Sequence, residues 1–231
     1  MHPTQPLELS VPVSIELHYL LQVPDPLPEN PLLVVVTHGY GMHPALMLGL
    51  ARKVVPPQAV IASLEAPNQH YLSEKPGSDQ IGFNWGTRAR WRGAVDTHHR
   101  MLRSVMERCR QEYPARAENT VLLGFSQPVG LNYRFAATYP DEVGGVIGIC
   151  GGVPKDWEDE GYKPVSAALL HIARDQDEYY PVETVNTFAG RLRHRAGDVE
   201  FHLMEGPHRF PSKAPAIVQP WLRRVFPTAA L

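Results

Sequence analysis

The chain has 231 residues, of which 43% are hydrophobic and 20% charged, and its formal net charge is −2. That length suffices for one well-buried core, and the composition is that of an ordinary globular chain. Nothing in the near-neutral balance calls for nucleic acid or an acidic membrane surface, so no nucleic-acid partner is expected.

The first residues, Met1-His2-Pro3-Thr4-Gln5-Pro6, lack the basic and apolar regions of a secretory signal. No apolar stretch approaches the ~18 residues of a membrane span, which predicts a soluble, cytoplasmic protein. Alternating Val11, Val13, Ile15, Leu17 and Tyr19 predict an antiparallel edge strand over residues 11–19. The break Pro24-Asp25-Pro26-Leu27-Pro28 ends it. Leu32-Leu33-Val34-Val35-Val36 has no polar face, as in strands buried on both sides of a parallel sheet.

Further strands are predicted at 59–64, 119–124, 143–150, 167–173 and 199–204. Helices are predicted at 44–53, 91–113, 128–139, 181–195 and 211–225. This alternation implies an α/β fold with a mostly parallel, doubly wound sheet, formed by residues 1–231 as one domain. Residues 65–90 break the pattern with a long aperiodic stretch rich in Gly, Asn, Ser and aromatic residues, of a kind that is often functional. Two cysteines, Cys109 and Cys150, cannot build a disulfide framework and are read as reduced thiols.

The chemistry centres on Gly124-Phe125-Ser126-Gln127-Pro128, where a buried strand runs into a helix. Such a turn lifts a serine hydroxyl above the sheet, and the Gln127 amide at the helix start is free to meet a developing oxyanion. Pro128 stands where the G-x-S-x-G pattern has its last glycine. Proline suits the first turn of a helix, and the donor N–H belongs to Gln127, so an adjusted elbow is expected.

A serine nucleophile needs a base, and the base needs an orienting carboxylate, in the chain order Ser, acid, His. After the strand at 167–173 two aspartates compete, Asp175 and Asp177, of which Asp177 is preferred for its place before Glu-Tyr-Tyr-Pro. His208, in the Gly-Pro loop after the strand at 199–204, is the expected base. His98, His99 and Asp96 lack proper zinc-ligand spacing, and adjacent histidines on a helix should face different ways. The remaining oxyanion donor is sought in Thr37-His38-Gly39-Tyr40-Gly41-Met42: the N–H of Tyr40, or less favourably of Met42, with His38 holding the loop.

With these residues placed, the chain resembles the phospholipase/carboxylesterase family of α/β-hydrolases, which includes acyl-protein thioesterases. The resemblance runs from Val34 to Pro211 and rests on His-Gly-Tyr-Gly at 38–41, Gly-Phe-Ser-Gln at 124–127, Asp-Glu-Tyr-Tyr-Pro at 177–181, and His208. It implies the α/β-hydrolase fold and hydrolysis of a small-molecule ester or thioester through an acyl-enzyme on Ser126. It implies no metal and no cofactor. By the same resemblance Phe83, Asn84, Trp85 and Trp91 lie near the site. Trp85, with Met42, could line the substrate pocket, or the aromatics could simply anchor the loop; Trp157 is a weaker pocket candidate. Short or water-soluble acyl groups are favoured by the lack of a large lid insertion. A peptidase or amidase with the same triad, and a non-catalytic scaffold marked by Pro128, remain open, as does monomer or homodimer.

Overall fold

The computed structural model describes residues 6–75, 77 and 79–230. In chain order its elements are β1 (Tyr19–Gln22), β2 (Leu33–Thr37), α1 (Pro44–Val54), β3 (Val60–Leu64), β4 (Asn68–Tyr71), β5 (Ile81–Asn84), α2 (Trp91–Glu112), β6 (Thr120–Phe125), α3 (Val129–Thr138), β7 (Gly145–Ile149), β8 (Ala168–Arg174), α4 (Val182–Val185), α5 (Phe188–Arg193), β9 (Val199–Met204) and α6 (Pro215–Val225).

Seven strands form one sheet in the order β1-β3-β2-β6-β7-β8-β9, parallel except for the antiparallel edge strand β1. The apolar runs of the central strands are continuous because both faces are covered. Along β2, Leu33 and Val35 join the core beneath α2, α3 and α5, while Val34 and Val36 join the core beneath α1 and α6. The period-two alternation of β-strand side chains therefore divides each buried strand between two separate cores.

The strand order reverses direction at β2. Its neighbours are β3 on one side and β6 on the other, so the chain leaving β2 and the chain leaving β6 depart from adjacent strand ends. Thr37 pairs with Gly124, which sets these two exits level. Such a switch point opens a crevice at the carboxyl ends of the strands. Every loop singled out for chemistry leaves that edge.

Four expected elements differ. The edge strand is Tyr19–Gln22, and residues 11–17 pair with nothing in the sheet, because its partner β3 stops at Leu64 opposite Tyr19. Val11, Val13 and Ile15 are consequently exposed. Residues 65–90 contain a two-stranded antiparallel hairpin of β4 and β5, with Asn68 opposite Asn84. The helix expected over 181–195 is broken between α4 and α5, where the Thr187 hydroxyl and amide both bond the Thr184 carbonyl and close a tighter turn. The last helix begins at Pro215, since a proline fits the first helical turn and residues 211–214 form a bonded turn before it. Among the described residues no helix is long and apolar enough to cross a membrane.

Candidate active site

The β6-to-α3 turn is tight for reasons visible atom by atom. A Cβ on Gly124 would stand 2.7 Å from Asn132 Nδ2 and 3.3 Å from Thr37 Oγ1, so only glycine lets α3 approach the strand. Ser126 has φ of 64°, in the left-handed region, a conformation that costs a non-glycine residue roughly 1–3 kcal/mol. Its amide is held by the Ile149 carbonyl at 2.9 Å, which ties the strained residue to the end of β7. Pro128 takes α-region angles (φ −79°, ψ −7°), and its carbonyl accepts the Leu131 and Asn132 amides, both at 2.9 Å. The proline thus starts the helix without needing an N–H.

His208 lies in the loop after β9, the edge strand three places from β6, and this loop reaches back across the strand ends to Ser126. Its Nε2 is 2.8 Å from Ser126 Oγ and its Nδ1 is 2.7 Å from Asp177 Oδ2. With Nδ1–H donating to the carboxylate, Nε2 is left to accept from the serine hydroxyl. The Asp177 side chain is 1% exposed and that of His208 11%. The other carboxylate oxygen of Asp177 accepts the Tyr179 amide at 2.9 Å and the Tyr180 amide at 3.1 Å, which fixes its orientation.

Asp175 is placed differently. Its Oδ1 accepts the Gly206 amide at 2.8 Å, so it fastens the histidine loop from behind and does not touch the imidazole. The same loop is held by Glu178, which accepts the His208 amide at 2.9 Å, by Arg174 Nε donating to the Pro207 carbonyl, and by the Cys150 thiol bonding the Arg209 carbonyl. Sequence reasoning missed these supports. The acidic run Asp175-Gln176-Asp177-Glu178 was their only signal, and it shows charge without direction.

The loop after β2 faces Ser126 closely: a Cβ on Gly39 would lie 3.3 Å from Ser126 Cβ. His38 is buried, and burial pushes it down to about 4, leaving it neutral. Its Nε2 accepts the Ala66 amide at 3.1 Å, and its Nδ1 donates to the Gly39 carbonyl at 2.8 Å. Met42's amide is spent on the Gly39 carbonyl and Gly41's on Phe83. The amides of Tyr40 and Gln127 have no protein acceptor among the described residues. Of the two donors weighed in this loop, only Tyr40's N–H is free.

Trp85 is fully buried and therefore lines no substrate pocket; its indole N–H donates to the His38 carbonyl at 2.7 Å. That bond anchors the segment after β5 to the loop after β2. Trp157 is likewise fully buried, with its indole N–H on the Arg191 carbonyl. Met42 is half-buried beside Gly39, and Tyr40 is exposed at the rim. Tyr179, which no motif marked as a contact, stands edge-on to the His208 ring with centroids 4.7 Å apart and is 74% exposed. It forms an aromatic wall beside the His208 imidazole.

His98 and His99 face different neighbours, His98 the Trp85 ring and His99 the rings of Phe135 and Tyr139. Both are buried, with ring centroids 5.6 Å apart, and burial is the main cause that lowers both from the usual histidine range, His99 to about 4. Among the described residues, no group of three or more His, Cys, Asp and Glu is arranged to hold a metal ion.

A mostly parallel sheet with an antiparallel edge, helices on both faces and a tight strand-to-helix turn carrying a left-handed serine at the switch point define the α/β-hydrolase fold. The model of the Phospholipase/Carboxylesterase family matches residues 22–225, and the chain belongs to that family. Among solved structures it is similar to esterase PE8, at 20% identity and TM-score 0.74, covering 92% of this chain and 100% of the other. It is also similar to the Bacillus cereus carboxylesterase, at 15% identity and TM-score 0.73, covering 91% and 95%. The Mesorhizobium loti carboxylesterase shares 17% identity with a TM-score of 0.71, covering 89% and 94%. No curated protein matches.

Proposed function

We propose that this chain is a serine hydrolase of carboxylic esters or thioesters, working through an acyl-enzyme on Ser126. The observation that carries this reading is the unbroken relay from Ser126 Oγ to His208 Nε2 and from His208 Nδ1 to Asp177 Oδ2. His208 takes the serine proton as Oγ attacks the carbonyl carbon. Asp177 holds the imidazole in the tautomer that can accept it, and stabilises the imidazolium that forms.

The tetrahedral oxyanion is received by the Tyr40 and Gln127 N–H groups, whose lack of a protein acceptor supports the role. His208 then returns the proton to the leaving alcohol or thiol. In the second half of the cycle it activates water against the acyl-enzyme, and the acid leaves. The exposed Tyr40 and Tyr179 and the half-buried Met42 flank the serine and provide the apolar contact for a small acyl or alcohol group.

The test is labelling with a fluorophosphonate, followed by turnover of p-nitrophenyl esters and acyl thioesters of increasing chain length. Wild type is expected to label and turn over, and Ser126→Ala and His208→Ala to do neither. An unlabelled wild type, or a Ser126→Ala that keeps full turnover, would sink the reading.

A further inference from the structure

The Gln127 side chain has no part in the chemistry above, yet it is tied down at both ends. Its Oε1 accepts the Trp85 amide at 2.9 Å, and its Nε2 donates to the Gly86 carbonyl at 2.8 Å. Trp85 in turn donates its indole N–H to the carbonyl of His38 at 2.7 Å. The His38 ring bonds the Gly39 carbonyl, one residue before Tyr40. A circuit therefore runs from Gln127 through Trp85 and His38 to the Gly39–Tyr40 peptide, and its two ends, Gln127 and Tyr40, each carry an N–H with no protein acceptor among the described residues. β5 adds a clamp on the same loop: Phe83 exchanges backbone bonds with Gly41 and Met42 at 2.9 and 3.0 Å.

We propose that the Gln127 side-chain amide and the Trp85 indole are positioning residues that set the spacing of the two oxyanion donors. This rests on the hydrolase reading above. The two donors sit on separate loops leaving neighbouring strands, and backbone pairing between those strands ends at Thr37 and Gly124. Past that point, nothing in the sheet ladder fixes one loop against the other. The brace supplies the missing connection, through a wholly buried indole and a carboxamide satisfied on both its oxygen and its nitrogen.

An oxyanion hole works only where its donors are aimed before the charge develops, so a displaced donor loses transition-state binding and leaves ground-state binding untouched. Gly86, at φ 150°, is where the brace turns, and a Cβ there would lie 2.5 Å from Ala94 Cβ. The segment after β5 is thereby seated on α2.

The test compares wild type with Gln127→Met, Trp85→Phe and the double variant, on a p-nitrophenyl ester. It also measures the inhibition constant of a trifluoromethyl ketone, whose adduct carries the oxyanion, beside that of the matching alcohol, which carries none. Each single variant should lose on the order of tenfold in kcat, a fraction of the 10²–10³ of a deleted donor, with KM within about twofold. The ketone should weaken by the same factor as kcat and the alcohol not at all. The double variant should fall little below the worse single one, because both changes cut one circuit.

A kcat within twofold of wild type in Gln127→Met would overturn the proposal, as would a loss confined to KM or an unweakened ketone. Gln127→Met touches only a half-buried side chain, so it stays informative if Trp85→Phe does not fold. Failure of the underlying reading looks different, since wild type itself would then go unlabelled by fluorophosphonate.

Discussion

At the scale of single residues, the two aspartates after β8 make the sharpest contrast. Asp177 contacts the imidazole and Asp175 the Gly206 amide, although the residues lie two apart in one loop. Asp177→Asn should lower kcat by about 10³–10⁴, since an amide favours the wrong imidazole tautomer. Asp175→Asn keeps an acceptor for Gly206 and should cost less than about tenfold, a difference read from ester turnover by the two variants. Pro128 is open to a similar test. Its φ of −79° is one that glycine also adopts, and its carbonyl does the bonding. Pro128→Gly should retain kcat within a few-fold and lose about 0.5–1 kcal/mol in urea unfolding through unfolded-chain entropy. The sequence displayed Ser126, His208 and the aspartate pair through strand-exit position. The partner each aspartate takes depends on where a second loop, some thirty residues later, folds back.

At the scale of elements, the central strands were legible because burial on both faces leaves uninterrupted apolar runs, and the paired turns mark their ends. Edges were harder. The alternation of residues 11–19 reads as strand by side-chain pattern, but a strand also needs a partner, and β3 ends opposite Tyr19. The hairpin of β4 and β5 escaped for the opposite reason. Its sequence alternates weakly, and its second strand is stabilised by bonding to Gly41 and Met42 as well as to β4. One element contact is tight enough to predict. Gly151, after β7, would drive a Cβ into Val129 and to 2.7 Å from the Ser126 carbonyl oxygen. Gly151→Ala should destabilise by about 1–3 kcal/mol in urea and lower turnover as well, because α3 and the serine turn must move together.

At the scale of the whole molecule, buried histidines link stability to pH. His38 and His99 are lowered to about 4 and His171 to about 3, with desolvation by burial the largest cause in each. Each is neutral in the folded chain but takes a proton near the ordinary 6.5 when unfolded. Stability from this source is therefore fully present above about pH 6.5 and is lost as pH falls toward 4, where the unfolded chain binds more protons. The urea midpoint should drop steeply between pH 6.5 and 4, with a slope of more than one proton. A flat midpoint over that window would contradict the burial of these rings.

The sequence by itself determined the candidate site residues, their chain order and the strands that present them. Local chemistry suffices there: apolar runs, turn residues and helix starts act over a few neighbours. Only the tertiary structure decided that Asp177 and not Asp175 meets His208, that the Trp85 indole is buried against the His38 carbonyl, and that the Gln127 side chain bonds the segment after β5. Those outcomes depend on the level at which separate strand exits stand beside one another. That level is set by sheet register and strand order, which leave no trace in the spacing of any one segment.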